Sequence, residues 1–204
     1  MPARVIVLAG PSGAGKSRLA ARLGLPVLRL DDFYHSVDHP DLPRVAEGAN
    51  AGLVDWDDPR TWDFDGAVAA IEELCAEGRA EVPVYSIPLS RPVGRQILDL
   101  GDHSHFVAEG IFAPEVVAHC ASRGLLAAAH CVRQHPLVTF WRRLTRDLRE
   151  RRKAPWVLLW RGLALLRAQR RVVADAVAKG CTPVTGDESY ALLADRVHAP
   201  AGKR

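Results

Sequence analysis

Residues 5–24, VIVLAGPSGAGKSRLAARLG, contain the strongest indication of the fold. A run of apolar residues stops at a glycine, small residues follow up to Gly15, and a helical pattern begins around Lys16. A continuous apolar run is typical of a strand buried on both faces of a parallel sheet. We therefore predict a strand over residues 4–9, a glycine-rich loop, and a short helix over residues 15–23.

The loop has the pattern of a phosphate-binding loop. Residues 10–17 fit G-x-x-x-x-G-K-[ST], with the required strand before and helix after. Side chains there would block the approach of successive backbone N–H groups to a phosphate. The helix adds its free N–H groups and the positive end of its dipole. We expect Lys16 to contact the β- and γ-phosphates of ATP and Ser17 to ligate Mg²⁺. The residues expected to bind the nucleotide are Gly10, Pro11, Ser12, Gly13, Ala14, Gly15, Lys16 and Ser17.

The composition is that of an ordinary globular protein. Of the 204 residues, 48% are hydrophobic and 25% are charged, and the net charge of +3 is too small to indicate a nucleic-acid-binding protein. The charges are unevenly distributed: residues 141–171 hold 11 basic and 2 acidic residues, and residues 31–65 hold 10 acidic and 2 basic ones. Such asymmetry fits a site for a polyanion at one end and for hydroxyls or a cation at the other, although two solvated faces give the same pattern.

Cysteine spacing and the apolar segments predict a cytoplasmic protein. The four cysteines lack any C-x-x-C spacing, which favours reduced thiols over disulfides or a zinc site. From the residues before the first strand we expect no signal peptide. The longest apolar segment, residues 154–169, is interrupted by Arg161 and is too short to span a bilayer. We expect no membrane and no nucleic-acid partner.

Strands alternate with helices along the chain. Beyond the first strand and helix, we predict core strands within residues 25–34, 104–112, 125–134 and 179–189, an edge hairpin at residues 81–91, an amphipathic helix over residues 64–78, and a largely helical segment after residue 135. This alternation predicts an α/β fold: a P-loop NTPase three-layer sandwich around a parallel sheet of about five strands. We interpret residues 1–204 as one domain, with a substrate-side insertion at 35–100 and a helical, arginine-rich lid at 141–171.

Carboxylates follow two of the predicted core strands. Asp31 and Asp32 end the second strand and Glu109 ends the third, at the edge where parallel sheets build their sites. A carboxylate there can accept a proton from an attacking hydroxyl and help to hold a metal ion. An aspartate that caps a turn, or a glutamate that leaves the sheet for solvent, would give the same sequence. The phosphate loop favours the functional interpretation.

Six segments occur in the order and approximate spacing seen in uridine/cytidine kinases. They are GPSGAGKS, LDDFY, DWDDPRTWDFD, VPVYSIPLSR, AEGIF and RRLTRDLRERRK. The chain therefore resembles the uridine/cytidine kinase-like P-loop kinases over roughly residues 5–153. The resemblance implies an ATP- and Mg²⁺-dependent phosphotransferase that acts on a primary hydroxyl of a small molecule, most simply a nucleoside.

The resemblance also implies individual roles. Asp31 is expected to be the catalytic base, and the metal ligands are expected to be Ser17, Asp31 and Glu109. The residues expected to bind the acceptor are Asp57, Tyr85 and Arg91. In the lid, Arg143 and Arg151 are expected to contact the nucleotide and Arg146 to act with Lys16 on the transferring phosphoryl group. A closing, arginine-rich segment supplies positive charge and excludes water, as this chemistry needs.

The pattern departs from the pyrimidine kinases in the acceptor segment. Leu89 stands where those enzymes have a base-reading histidine, and an apolar side chain cannot make that hydrogen bond. The acceptor therefore remains open: another nucleoside, a pantothenate-like acid or a sugar phosphate. A nucleotide-binding regulatory module without phosphoryl transfer is the alternative from another class. Core or dimer packing explains the apolar stripe after residue 153, so a homo-oligomer is a further possibility.

Overall fold

The computed structural model describes residues 2–47, 51–133 and 170–198. The strands are β1 (Arg4–Ala9), β2 (Val27–Arg29), β3 (Arg79–Ser86), β4 (Arg91–Asp99), β5 (His105–Glu109), β6 (Leu126–Val132) and β7 (Thr182–Val184). The helices are α1 (Lys16–Leu23), α2 (Phe64–Glu77), α3 (Val117–Ser122), α4 (residues 170–178) and α5 (Gly186–His198). Short 3₁₀ helices span Leu30–Phe33, Pro59–Thr61 and Ala113–Val116.

Five strands form a parallel sheet in the order β2-β5-β1-β6-β7. The predicted α/β fold with a parallel sheet is confirmed. Strand β1 lies at its centre, and residues 5–9 expose 1% or less of their surface. Such burial on both faces explains why the strand is continuously apolar. Because all five strands run the same way, their carboxyl ends share one edge of the sheet.

Helices cover both faces of this sheet. Val5, Val7 and Ala9 point to the face covered by α2, α3 and α4, whose buried residues include Ile71, Cys120 and Ala176. Ile6 and Leu8 point to the face covered by α1 and α5, whose buried residues include Leu19 and Leu193. The alternation of β1 therefore divides the core into two layers of side chains, and the three-layer sandwich follows.

The second strand is shorter than predicted. Residues 25–34 were expected to form one strand, but β2 ends at Arg29 and a 3₁₀ helix over Leu30–Phe33 follows. Strand β2 pairs with β5 only as far as Arg29 opposite Glu109, so the chain has no partner strand beyond this point. The indole N–H of Trp62 donates to the Leu30 carbonyl at 2.7 Å and satisfies that buried group. As a result, Asp31 and Asp32 lie on a helical turn and point in different directions.

Strands β3 and β4 form an antiparallel hairpin with a sheet of its own. The predicted hairpin over residues 81–91 is therefore confirmed, and it extends over residues 79–99. Strand β3 buries Ala80 and Val82 in the same core cluster as α2, whereas β4 is almost entirely exposed. The hairpin ends beside the Leu30–Phe33 turn, where Tyr85 contacts Tyr34.

Several predictions concern residues that the structure does not describe. Of the lid predicted over residues 141–171, only residues 170 and 171 are described, and Arg143, Arg146 and Arg151 lie outside the described residues.

All four cysteines are described, and each is a buried free thiol. Within the described ranges, no helix is long and apolar enough to cross a membrane.

Candidate active site

The phosphate loop connects β1 to α1 at the carboxyl edge of the sheet. Its first glycine, Gly10, has a φ of 130°, and a Cβ atom at this position would lie 2.3 Å from the Val132 carbonyl oxygen of β6. Only glycine tolerates both this backbone conformation and this approach. Helix α1 begins at Lys16, with Gly15 before it in the left-handed conformation. The free N–H groups of the first turn of α1 therefore face the loop.

The ammonium group of Lys16 curls over its own loop. Its Nζ donates to the Gly10 carbonyl at 2.8 Å and to the Pro11 carbonyl at 3.5 Å. Burial lowers the pKa of Lys16, and the nearby carboxylates of Glu109 and Asp31 raise it. The side chain is thus half-buried at the mouth of the loop, held by two carbonyl groups, with the carboxylates of Glu109 and Asp31 nearby.

Ser17 and Glu109 are in direct contact. Strands β1 and β5 pair with Leu8 opposite Glu109, which brings the end of β5 beside the start of α1. The Ser17 hydroxyl donates to the Glu109 carboxylate, at 2.9 Å to Oε1 and 3.2 Å to Oε2. A hydroxyl and a carboxylate at contact distance are the hard oxygen ligands that Mg²⁺ prefers, so this pair fits the metal that a phosphate loop implies. No cluster of three or more metal-binding side chains occurs among the described residues.

Asp31 is fixed against the end of β5. Its Oδ1 accepts the Ile111 backbone N–H at 2.9 Å. The backbone can come this close only because residue 110 is glycine: a Cβ there would lie 2.7 Å from the same Oδ1. Gly110 therefore leaves room for the Asp31 carboxylate. Within the described residues, the second carboxylate oxygen, Oδ2, has no hydrogen-bond partner.

Asp32, the next residue, is buried and turned away from the loop. Only 6% of its surface is exposed, and its carboxylate lies 3.7 Å from the Arg29 guanidinium. Burial raises the pKa of Asp32, whereas Arg29 and the Tyr85 backbone N–H lower it. Asp32 therefore links β2 to the hairpin. Chain position alone does not distinguish the two aspartates, and only the family resemblance named Asp31; in the structure Asp31 is exposed and Asp32 is buried.

An aromatic cluster lies next to Asp31. Tyr34 is at its centre, and its ring centroid lies 5.6 Å from Trp56, 5.8 Å from Tyr85 and 5.7 Å from Phe112. The Tyr34 hydroxyl donates to the Trp56 carbonyl at 3.1 Å. Burial raises the pKa of Tyr34, and so do the nearby carboxylates of Asp31 and Asp57. The cluster therefore has an apolar wall of rings and an acidic rim.

The structure brings together some of the predicted acceptor residues. Tyr85 belongs to the aromatic cluster, and its hydroxyl donates to the His35 carbonyl at 3.4 Å. Asp57 is exposed at the rim of the cluster, directly after Trp56. Arg91 is exposed at the start of β4, opposite Ser86, and Leu89 lies at the exposed hairpin tip. Among the described residues, neither Arg91 nor Leu89 has a hydrogen bond or ion pair with the cluster, so the role of Arg91 stays a prediction.

Sequence reasoning missed Tyr34 and Phe112. Both lie in segments that had been singled out, LDDFY and AEGIF, three residues after Asp31 and after Glu109 respectively. Tyr34 follows the 3₁₀ helix over Leu30–Phe33 and Phe112 precedes the one over Ala113–Val116, and contacts between rings of separate segments leave no spacing in the sequence. Trp62 is 4% exposed and packs on Phe112, which makes it part of the wall behind the cluster.

A second recess adjoins the phosphate loop on the opposite face of the sheet. Ala14, Gly15 and Arg18 form one side, and Gly186 and Asp187 at the start of α5 form the other. Arg22 closes one end, with its guanidinium 2.6 Å from Asp187 and 4.0 Å above the Tyr190 ring. In the described structure, an open recess therefore adjoins Gly15 between α1 and α5.

These features define an α/β nucleotide-binding protein of the phosphate-loop type. Residues 5–154 match the sequence model of the Phosphoribulokinase / Uridine kinase family. The match covers well over half of the chain, and the protein belongs to this family.

Individual relatives are more distant. The chain is 30% identical over 114 residues to inorganic pyrophosphatase TTM2 of Arabidopsis thaliana and 29% identical over 116 residues to uridine kinase of Saccharomyces cerevisiae. Each match covers 53% of this chain, but only 15% and 22% of those relatives. A solved structure, a putative fructose transport system kinase from Silicibacter sp., matches with a TM-score of 0.57 at 18% identity, covering 87% of this chain and 84% of that one. This similarity supports the fold.

Proposed function

We propose that the protein transfers the γ-phosphate of ATP to a hydroxyl group of a small, uncharged molecule, most simply a nucleoside. The observation that carries the proposal is the spacing of four side chains at one edge of the sheet. Lys16, Ser17 and Glu109 surround the mouth of the phosphate loop, and Asp31 stands between this group and the aromatic cluster. Family membership supports a kinase but leaves the acceptor open.

On the phosphate side, the loop N–H groups and Lys16 bind the β- and γ-phosphates. Ser17 and Glu109 hold Mg²⁺, which neutralises phosphate charge when it is bound. The recess between α1 and α5 receives the base of the nucleotide, because it is the open space that continues from Gly15. We assign the remaining positive charge to Arg143, Arg146 and Arg151 of the lid.

On the acceptor side, Asp31 is the general base. Its Oδ1 is fixed by the Ile111 N–H, and its Oδ2 accepts the proton of the acceptor hydroxyl. The hydroxyl oxygen bonds to the γ-phosphorus as the bond from phosphorus to the β,γ-bridging oxygen breaks, and ADP leaves. Because no covalent enzyme intermediate is needed, positioning and charge stabilisation supply most of the rate.

The acceptor lies against the aromatic cluster. Tyr34, Trp56 and Tyr85 offer ring faces and edges to a planar group, and Asp57 offers a carboxylate to its hydroxyls. The nearby acidic side chains disfavour a phosphorylated or carboxylated acceptor. The buried thiols and the composition suit a reducing compartment, and we propose a cytoplasmic location.

Acceptor-dependent ADP formation with Mg²⁺ tests the proposal. The panel includes nucleosides, pantothenate, neutral sugars and sugar phosphates, and Lys16→Ala provides the background. We expect turnover with at least one neutral hydroxylic acceptor and none above background with the anionic ones. Preferred turnover of a sugar phosphate or pantothenate would overturn the neutral acceptor but retain the kinase. Tight ATP binding without turnover on any acceptor would favour the regulatory module.

A further inference from the structure

The outer strand of the hairpin, β4, has an unpaired edge in the described structure. Strand β4 pairs with β3 on one side, and no other strand of the described residues pairs with its opposite side. Four of the ten large hydrophobic residues exposed in the described structure lie on this hairpin: Ile87, Leu89, Val93 and Ile97. An open edge with apolar side chains is a template for another strand.

The backbone groups that face outward can be identified from one proline. Pro83 of β3 lies opposite Arg95 of β4, and a proline has no N–H to donate. Residues 83 and 95 therefore form a non-hydrogen-bonded pair, so the N–H and C=O of Arg95 point away from β3. Because hydrogen-bonded and non-hydrogen-bonded pairs alternate along an antiparallel strand, the N–H and C=O groups of Ile97 and Asp99 also point away from β3. A bulge at Val84/Tyr85 interrupts the regular pairing toward the hairpin tip, and residues 95–99 form the usable edge.

This five-residue edge, Arg-Gln-Ile-Leu-Asp, is complementary to itself when it runs antiparallel. With a two-fold axis at Ile97, Ile97 faces its own copy, Arg95 faces the partner's Asp99, and Gln96 faces the partner's Leu98. An axis at Arg95 would place two arginines opposite each other, and an axis at Gln96 would place arginine opposite isoleucine. Within residues 95–99, only the axis at Ile97 sets an arginine opposite an aspartate and an apolar residue opposite its own copy, although it leaves Gln96 opposite Leu98.

We propose that β4 pairs with β4 of a second copy of this chain about that axis, giving a dimer with a continuous four-stranded sheet. The occupant is a second copy because the edge recognises its own sequence in reverse. Arg95 already lies 2.6 Å from Glu81, so the dimer holds its guanidinium between Glu81 and the partner's Asp99. Asp99 accepts the Gly101 N–H through Oδ1, at 2.8 Å, and presents Oδ2 to the partner's arginine.

The dimer edge is separate from the proposed active site. Residues 95–99 lie opposite residues 79–83 of β3, whereas Tyr85 contacts the aromatic cluster near the other end of that strand. Dimerisation through β4 therefore does not depend on the proposed chemistry.

The first test is the mass of the full chain in solution, measured by light scattering after size exclusion over a range of concentrations. We expect wild type to associate, with a mass of twice the 22.3 kDa of one chain at the highest concentration. Ile97→Asp places two carboxylates together on the axis and is expected to raise the dimer dissociation constant at least about tenfold. The matched control is Leu192→Asp, since Leu192 on α5 is also 55% exposed, and its mass is expected to equal that of wild type.

The second test fixes the register by oxidation. In Ile97→Cys the two thiols face each other across the axis within disulfide reach, whereas in Val93→Cys they lie about 25 Å apart along the strands. Positions 93 and 97 are 53% and 55% exposed, and the four native cysteines are buried. We expect a cross-linked dimer at 97 and none at 93. A monomeric wild type, an unchanged mass in Ile97→Asp, or equal cross-linking at both positions overturns the proposal.

Discussion

The phosphate side and the acceptor side of the proposed site are built in different ways. On the phosphate side, one continuous segment supplies the loop, Lys16 and Ser17, and only Glu109 comes from elsewhere. On the acceptor side, the aromatic cluster joins rings from four separate segments of the chain: Tyr34, Trp56, Tyr85 and Phe112. A site made from one segment depends on backbone geometry, and a site made from four depends on side-chain packing.

The two sides should therefore tolerate different kinds of substitution. The phosphate side fails when a backbone conformation or a single functional atom is lost, and those losses are large. The acceptor side shares its function among several rings, so single changes should cost less. Asp31 connects the two sides. It lies three residues before Tyr34 of the aromatic cluster, and its carboxylate accepts the Ile111 N–H just after β5, the strand that ends in Glu109.

The largest expected effect concerns the two adjacent aspartates. Asp31→Asn should lower kcat by about 10²- to 10⁴-fold, the range for loss of a general base, with ATP affinity retained. Asp32→Asn is the matched control and should keep most of the turnover, because Asp32 is buried and faces Arg29. Initial rates and nucleotide titrations check both variants. Equal losses in the two would contradict the assignment of Asp31.

A backbone change on the phosphate side should have the next largest effect. Gly10→Ala places a Cβ 2.3 Å from the Val132 carbonyl oxygen at a φ of 130°, and should lower the free energy of unfolding by about 3 kcal/mol. Gly24→Ala provides the comparison: its φ is 66°, but nothing lies within 4 Å of the added atom. Its cost should be only about 1 to 2 kcal/mol. Urea denaturation of both variants tests whether the contact, beyond the conformation, matters.

A change in the aromatic cluster should be milder. Tyr34→Phe removes the hydrogen bond to the Trp56 carbonyl while leaving the ring contacts, and should cost about 1 kcal/mol of stability. KM for the acceptor should rise a few-fold with kcat little changed. Tyr85→Phe removes a longer bond, 3.4 Å to the His35 carbonyl, and should cost less stability. A larger effect on kcat than on KM for Tyr34→Phe would move this residue into the chemical step.

The smallest effect is a pH dependence that originates at Asp32. Burial raises its pKa in the folded protein above the ordinary value of 3.8, so the folded state binds the proton more tightly than the unfolded state. The resulting stabilisation is fully present below pH 3.8 and is lost as the pH rises through the folded pKa. Urea denaturation at a series of pH values from about 3.5 to about 7 covers the expected titration range of this carboxyl group. Over this range, the free energy of unfolding should fall more for wild type than for Asp32→Asn. Parallel curves would contradict the buried position.

The fold was readable from the sequence because its evidence is local. The β-branched run of β1 and the bare loop after it fix one strand, one helix and the edge at which the site lies. The parallel sheet and the hairpin were also predicted from local patterns, and both predictions are confirmed. The end of β2 was not predictable: the strand stops where β5 offers no further partner, and that is a property of another segment.

The site was only partly readable. The structure brings Lys16, Ser17 and Glu109 together, since each follows a strand whose carboxyl end reaches the same edge, and their roles stay predictions. The difference between Asp31 and Asp32 depends on the 3₁₀ turn and on the Ile111 N–H, neither of which leaves a pattern in the sequence. Tyr34 and Phe112 were missed because ring contacts between distant segments have no spacing rule.

The most direct test follows the fate of the γ-phosphate. With γ-labelled ATP, Mg²⁺ and the preferred acceptor, the label should be recovered as a phosphate ester of that acceptor, and Asp31→Asn should slow its appearance without weakening ATP binding. Label recovered only as inorganic phosphate, or transfer at the wild-type rate in Asp31→Asn, would contradict the account of Asp31 as the base that directs phosphate to a hydroxyl.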